Sequence, residues 1–169
     1  MVPAAPDAWI TALANFGTMS FGEVASAAIR FASEGFPVYP SFSEFIDNHR
    51  KDYQRWPSSA RVFLPKGRVP QVGEVFVQSE LGSTLKFLAD EERKVARKRG
   101  RKAGLKAARD AFYKGDIARE VTKFIEREGG LMRYEDFAEF SVKFEPTVKT
   151  RFNGIELHAC GPWSQGPSL

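Results

Sequence analysis

Two amphipathic helices joined by a pair of glycines are predicted between residues 116 and 140. The first carries apolar side chains at helical spacing on one face. These side chains are Ile117, Val121, Phe124 and Ile125. Asp116 is the expected N-cap, because its carboxylate can accept hydrogen bonds from the free amides of the first turn. Gly129 and Gly130 should end the helix, since the residue after a helix often takes a left-handed conformation that glycine adopts at low cost.

A shorter amphipathic helix follows the glycine pair. Four of its side chains are spaced to be buried together, namely Tyr134, Phe137, Ala138 and Phe140. Two helices with a tight glycine joint make a rigid corner. This pattern is typical of a structural scaffold and does not by itself indicate an active site.

Four more helices are predicted upstream, over residues 7–16, 20–34, 41–55 and from 79 onward. Ser20 and Glu23 form the pattern of a capping box at the start of the second helix. The third should end before Trp56, because the residue preceding a proline is pushed out of the helical region. Phe45 and Leu81 are expected to be buried on the third and fourth helices. On the first two helices the expected buried residues are Trp9, Ile10, Leu13, Phe16, Val24, Ala27, Ala28 and Phe31.

Residues 57–78 are rich in proline and glycine and predict a loop. Two short apolar groups, 62–64 and 75–77, should pin this loop down as extended pieces or single turns. A lid over a bound ligand is the alternative interpretation, because loops often carry binding residues.

A strongly basic run covers residues 93–109, with nine basic and no acidic side chains. The chain has 25 basic and 21 acidic residues, so without the nine in this run its net charge is −5. One interpretation is a solvated helical insertion broken at Gly100 and Gly104. A second is a patch for nucleic acid or another anionic surface, although aromatic residues for base stacking are not interleaved with the basic ones. A third is contact with an acidic substrate or with another part of a longer protein.

The single cysteine, Cys160, excludes an intrachain disulfide and a cysteine-based zinc site. His49 and His158 are far apart, and neither has other metal ligands at suitable spacing. We therefore expect no metal and no cofactor. A catalytic pair of Cys160 and His158 is the alternative to a structural role, but a third group to orient the histidine is missing from the pattern.

The C-terminal part changes to the alternating pattern of β-strands. Residues 142–152 predict one strand and 155–159 a second. Asn153-Gly154 between them is the preferred pair for a type I′ hairpin turn. The following turn at 161–167 can present backbone amides and a hydroxyl to a ligand, or it can be a structural bend. Three residues in it are weak candidates for substrate binding: Ser164, Gln165 and Gly166.

Several ordered motifs resemble the gamma-glutamyltransferase (gamma-glutamyltranspeptidase) family, and together they span nearly the whole chain. These are VPAAPDAWITALANFGTMSFGEVASAAIRFASEGFPV, AFYKGDIAREV, GGLMRYEDFAEF and RFNGIELHACGPWSQGP. Two positions depart from the family pattern. Ala4 replaces the usual glycine after Val-Pro, and Cys160-Gly161 replaces a common Pro-Pro.

The resemblance implies a mostly helical α+β piece of the αββα fold of N-terminal-nucleophile hydrolases. Residues 1–140 would be a helical lobe, and residues 141–169 a hairpin and turn of the sheet core. It further implies a self-cleaving precursor whose small subunit opens on the nucleophilic threonine. That threonine would lie beyond Leu169 and the carboxylate-binding arginine before Met1, so no catalytic residue is expected in this chain and it should be inactive alone.

The activity implied for the intact enzyme is transfer or hydrolysis of gamma-glutamyl groups from glutathione-type amides. Its expected partners are the remainder of the same precursor, including the small subunit, and a small gamma-glutamyl substrate. No nucleic acid is expected. The runner-up function is a helical binding module that uses residues 93–109 for an anionic partner. No signal peptide and no transmembrane run are visible in the sequence, although the family is often periplasmic or extracellular.

Overall fold

The computed structural model describes residues 1–164 of the 169-residue chain. Its helices are α1 Ala5–Phe16, α2 Phe21–Glu34, α3 Pro40–Asn48, α4 Arg50–Arg55, α5 Pro57–Phe63, α6 Ser79–Arg99, α7 Arg101–Tyr113, α8 Asp116–Arg127 and α9 Tyr134–Ala138. Its strands are β1 Phe36–Pro37, β2 Val75–Phe76, β3 Val148–Phe152 and β4 Ile155–Ala159. Each pair, β1 with β2 and β3 with β4, is antiparallel. The predicted class, mostly helical with a C-terminal hairpin, is confirmed. Among the described residues no helix is long and apolar enough to cross a membrane.

The centre of the helical part is the antiparallel pair α6 and α7, with α2 packed on α6. Gly100 ends α6 with φ of 83°, as expected for a break. Gly104 does not break a helix, contrary to the prediction, because α7 runs through it. A Cβ at Gly104 would lie 2.7 Å from the Ala96 Cβ and 2.8 Å from the Glu92 carbonyl oxygen. Glycine is therefore needed there for the close approach of α7 to α6.

The start of α2 is capped from two directions. The predicted capping box of Ser20 and Glu23 is confirmed. In addition, the Glu92 carboxylate of α6 accepts hydrogen bonds from the Phe21 and Gly22 amides, each at 2.8 Å. Glu92 is buried, at 2% exposure. A negative charge at a helix N-terminus satisfies free amides and opposes the helix dipole, so Glu92 fixes α2 against α6.

The buried faces predicted for α1 and α2 are largely wrong. In α2 the buried residues are Phe21, Ala25 and Ala32, whereas Val24 and Phe31 are each half exposed. The reason is that α2 packs on α6 through its small residues Gly22 and Ala25, which let the two helices approach closely. Val24 is bulkier and lies outside this contact. In α1 Ile10 is buried as predicted and Leu13 is partly buried, but Trp9 and Phe16 are exposed. Ala27 and Ala28 are also exposed.

The predicted third helix is two helices, because His49 leaves helical geometry between α3 and α4. The boundary at Trp56 is confirmed. Phe45 is exposed and stacks on the His49 ring, with ring centroids 4.3 Å apart. The buried residues of this part form a small core of Ile46, Leu64 and Val69.

The stretch 57–78 is more ordered than a loop. Pro57 opens helix α5, where its fixed φ suits the first helical turn. Val75 and Phe76 then form strand β2 against β1, a pairing that the sequence analysis did not predict. Arg68 and Glu74 close the turn between them with two side-chain hydrogen bonds, Nη1 to Oε2 at 3.0 Å and Nη2 to Oε1 at 2.5 Å.

The hydrogen bonds from Arg68, and then the one from the Gln71 amide, lower the pKa of Glu74 from 4.5 to about 2. A depressed carboxyl pKa means that the contribution of Glu74 to stability is complete above about pH 4.5 and is lost as the pH falls through about 2. We expect Arg68→Met to raise the Glu74 pKa from about 2 towards its ordinary value of 4.5. An NMR titration of the Glu74 carboxyl carbon measures this. An unchanged midpoint in the variant would contradict the assigned cause.

The corner of α8 and α9 is present, with two corrections. Gly115 takes the cap conformation, and Asp116 is the first helical residue with its side chain 98% exposed, so Asp116 is not the N-cap. The fully buried positions of α8 are Ala118 and Thr122, and Phe124 faces solvent. Ala118 packs against the C-terminal end of α7 in one cluster with the rings of Tyr113 and Phe137, and Phe140 packs against this cluster. These large rings leave room only for small side chains on the buried side of α8.

The C-terminal hairpin has the predicted turn. Asn153 has φ of 47° and Gly154 has φ of 80°, the positive values that a type I′ turn needs at both central residues. Strand β4 has the predicted bounds, while β3 begins at residue 148 instead of 142. One face of the hairpin, the apolar hairpin face, consists of Val148, Thr150, Phe152, Ile155, Leu157 and Ala159. Most of it is exposed to solvent in this chain.

Candidate functional site

The turn after the hairpin contains the sequence-predicted candidate Ser164; Gln165 and Gly166 lie outside the described residues. The Ser164 amide donates to the Gly161 carbonyl at 3.0 Å, and its hydroxyl lies 3.4 Å from the same oxygen. The Trp163 indole N–H donates to the Glu145 carboxylate. These contacts hold the turn at residues 161–164 to the segment entering β3.

His158 and Cys160 do not form the alternative catalytic pair in the described contacts. The His158 Nδ1 lies 2.9 Å from the Thr147 hydroxyl and its Nε2 lies 2.8 Å from Glu156 Oε1. The Cys160 thiol is exposed. Both imidazole nitrogens therefore have partners other than the thiol. Within residues 1–164 there is also no group of three or more histidine, cysteine, aspartate or glutamate side chains that could hold a metal ion.

A buried ion pair that the sequence analysis missed lies where the chain leaves the helices for the hairpin. Asp7, in the first turn of α1, is 1% exposed. Its Oδ1 accepts from Arg109 Nε at 2.6 Å and from the Thr11 hydroxyl at 3.2 Å. Its Oδ2 accepts from the Val142 amide at 2.8 Å. Arg109 also donates to the Phe140 carbonyl oxygen. The ion pair therefore holds Phe140 and Val142, the residues through which the chain passes from α9 towards the hairpin.

Tyr113 completes this cluster, which we name the exit clamp (Asp7, Arg109, Tyr113). Its hydroxyl donates to the Pro3 carbonyl at 2.6 Å and accepts from the Asp7 amide at 3.1 Å. Burial raises the pKa of Tyr113. Burial alone would lower the pKa of Arg109, but hydrogen bonding and attraction to Asp7 outweigh it and the pKa is raised. The clamp therefore ties residues 3–7 and α7 to the start of the C-terminal segment.

The basic run 93–109 is not a simple solvated insertion. The Arg101 guanidinium donates to the Gly17 carbonyl at 2.9 Å, and to those of Met19 at 3.1 Å and Leu13 at 3.2 Å. It satisfies carbonyl groups at the end of α1, where a positive charge is favourable. Arg109 belongs to the exit clamp. The cations that do face solvent are Arg93, Lys94, Arg97, Lys98, Arg99, Lys102 and Lys106. Two of the nine basic residues therefore hold other parts of the fold in place, and seven face solvent.

The C-terminal turn and the exit clamp are two places where polar groups converge near the hairpin, and neither has the arrangement of a catalytic site. Within residues 1–164, neither the C-terminal turn nor the exit clamp places a nucleophile beside a base and an orienting group, which covalent catalysis requires. The clamp instead fixes the direction in which the chain enters the hairpin. No local periodicity could have found it, because its partners are separated by more than 100 positions. The described residues thus form a positioning framework next to an apolar hairpin face.

Comparisons with known proteins agree with the motifs. The family described as Gamma-glutamyltranspeptidase matches residues 1–169. The acylase ACY 1 proenzyme of Pseudomonas sp. (strain SE83) is 32% identical over 92% of this chain and 25% of its own length. The glutathione hydrolase-like YwrD proenzyme of Bacillus subtilis is 27% identical over 98% of this chain and 28% of its own length.

The fold agrees as well. The crystal structure of Helicobacter pylori gamma-glutamyltranspeptidase superposes with a TM-score of 0.79 at 25% identity, covering 93% of this chain and 41% of that one. The chain spans about a quarter of the length of the curated relatives it matches. Since the family match extends over every residue, the chain belongs to the gamma-glutamyltranspeptidase family.

Proposed function

We propose that this chain is part of a precursor whose mature form transfers or hydrolyses gamma-glutamyl groups of glutathione-type amides. The observation that carries the proposal is the family match over residues 1–169. It is supported by relatives named as glutathione hydrolase proenzymes, which match more than nine-tenths of this chain. The helical part and the hairpin would then serve the fold around a site completed by the rest of the precursor.

The proposed chemistry uses an N-terminal threonine outside this chain. Its own amine takes the proton of the hydroxyl, and the oxygen attacks the gamma-carbonyl carbon. The leaving amine departs with a proton, and a gamma-glutamyl ester of the threonine remains. Water or the amine of an acceptor amino acid then attacks this ester and releases the threonine. Nothing in this sequence of steps requires a metal or a cofactor.

The role proposed for the hairpin is to join a sheet of that enzyme. Its apolar face has six residues, and its other face carries Lys149, Arg151, Glu156 and His158. Two strands alone are marginally stable in water, because one apolar face needs a covering layer. The exit clamp would hold the hairpin at the angle at which the remainder of the precursor covers it.

Activity tests the proposal directly. We expect the purified 169-residue chain to be inactive on gamma-glutamyl-p-nitroanilide and the complete precursor to be active after self-cleavage. Because one relative is named an acylase, the precursor should be tested in parallel on amides with other acyl groups. An active precursor that accepts only these other amides would reject the gamma-glutamyl assignment. Activity of the 169-residue chain alone would reject the proposed location of the nucleophile.

Hydrogen exchange tests the role of the hairpin. We expect the amides of Ile155–Ala159 to exchange at least about tenfold more slowly in the complete precursor than in the 169-residue chain, because a covered sheet opens less often. Amides of α7, which is packed in both forms, serve as the internal control. Equal protection of β4 in the two proteins would show that the hairpin needs no covering layer.

A further inference from the structure

A groove between α1, α2 and α6 is lined almost entirely by apolar side chains. The lining from α1 includes Trp9 and Leu13, that from α2 includes Val24 and Ala28, and that from α6 includes Leu81 and Leu85. Among the residues that the structure describes, no charged residue lines it, and Thr84 supplies the only hydroxyl group. We name these residues the apolar groove. Its composition resembles a core surface more than a solvent-facing one.

The exposure of the groove is greater than isolated surface residues would explain. Trp9 is 57% exposed, Val24 50% and Leu81 44%. On α2, Val24, Ala28 and Phe31 follow one another at i, i+4 and i+7, so they form a second apolar stripe beside the one packed on α6. Each of the three helices thus contributes apolar side chains that are not buried in the core to the same groove. Scattered apolar residues would not converge in this way.

We propose that the apolar groove is covered by an uncharged, apolar segment from the remainder of the precursor. This rests on the proposed function, in which the chain is one part of a longer enzyme. The relatives it matches are about four times as long, so the partner surface available within one polypeptide is large. A charged segment would not fit, because a charge in this groove would lose water and find no partner.

The groove also lies beside the exit clamp and the segment that leads into the hairpin. This position favours another part of the same polypeptide, rather than a separate protein, as the occupant of the groove. Pro6 lines one side of the groove, and the next residue, Asp7, binds the amide of Val142. At the other end of α1, Phe16 meets Phe144 edge to face, with ring centroids 5.9 Å apart. The segment that leads into the hairpin therefore runs along α1. The groove therefore adjoins a segment of the same polypeptide that already packs on α1.

Cysteine labelling tests the proposal. In a Cys160→Ser background, Val24→Cys places a thiol in the groove. The matched control is Ser26→Cys, which is exposed on the same helix and does not line the groove. Both positions are exposed in this chain, so neither change should disturb folding. The maleimide reaction rate is measured in the 169-residue chain and in the complete precursor freed of its other cysteines.

We expect similar rates for the two sites in the chain alone, and at least about tenfold slower labelling of Val24→Cys in the precursor with Ser26→Cys unchanged. Equal labelling in the precursor would overturn the proposal. Slow labelling of Val24→Cys in the chain alone that disappears on dilution would show that a second copy is the occupant and would also overturn it. Activity of the same precursor on gamma-glutamyl-p-nitroanilide is measured separately, so an active enzyme with an open groove rejects only this inference.

Discussion

Replacing Asp7 with asparagine should lower the free energy of unfolding by about 3–5 kcal/mol. Arg109 would keep its charge in a mostly buried position, where its side chain is 17% exposed, and would lose its shorter ion pair, so that only the contact with Asp110 at 3.5 Å would remain. The asparagine amide group would also face N–H donors of Arg109 or Val142, because an asparagine side chain has one acceptor oxygen where aspartate has two. Urea unfolding of the 169-residue chain followed by far-UV circular dichroism measures the change.

A matched control separates this effect from loss of a charge in general. Asp116→Asn makes the same chemical change at an exposed carboxylate, which lies 4.0 Å from Arg119. We expect a change below about 1 kcal/mol there, as for other exposed ion pairs. A double-mutant cycle with Arg109→Gln then gives the coupling energy between the two clamp residues. If Asp7→Asn and Asp116→Asn were equally mild, the exit clamp would not stabilise the fold.

Residues that interact over short distances in the chain could be predicted from the sequence. The capping box of Ser20 and Glu23 spans three residues, and the Asn153-Gly154 turn is fixed by the conformations that these two residues tolerate. The end of α4 at Trp56 follows from the proline after it. Each of these features depends on local backbone chemistry. For the same reason α1, α2, α8, α9 and the hairpin were predictable, whereas the division between α3 and α4, helix α5 and the pairing of β1 with β2 were not.

The buried faces were less predictable, because a helix with two apolar stripes does not show which one meets its neighbour. Val24 and Phe31 satisfied the helical spacing as well as Phe21 and Ala25 did. The choice between them depends on the close approach of α2 to α6 and on a carboxylate 70 residues away. If the apolar groove is covered in the precursor, the stripe predicted for α2 is buried there too. The spacing would then have described the complete protein better than the isolated chain.

The exit clamp could not be predicted at all. Asp7 looks like any acidic residue in the first turn of a helix, and Arg109 looks like one of nine cations in a basic run. Only the packing of α7 against α1 brings them together and excludes water from them. The functional candidates Ser164, Gln165 and Gly166 remain predictions. The family assignment, in contrast, needed no geometry, since it depends on ordered motifs along the chain.

The second large effect is expected at Glu92. Glu92→Gln should lower the free energy of unfolding by about 2–3 kcal/mol, because a buried carboxylate that accepts two hydrogen bonds from backbone amides is replaced by a group with one acceptor. Either the Phe21 or the Gly22 amide would then face the new NH₂ group and stay unpaired in a buried place. The stabilising effect of a negative charge at the start of α2 would be lost as well.

The neighbouring residue supplies the control for Glu92. Glu91→Gln removes the same charge one position earlier in α6, where the carboxylate pairs with Lys94 near the surface. We expect a change below about 1 kcal/mol for that variant, again measured by urea unfolding. Hydrogen exchange adds a local readout, because losing the Glu92 bonds should increase exchange at Phe21 and Gly22 before it affects α7. Unchanged exchange at these two amides, together with equal stability of the two variants, would mean that Ser20 and Glu23 cap α2 without help from α6.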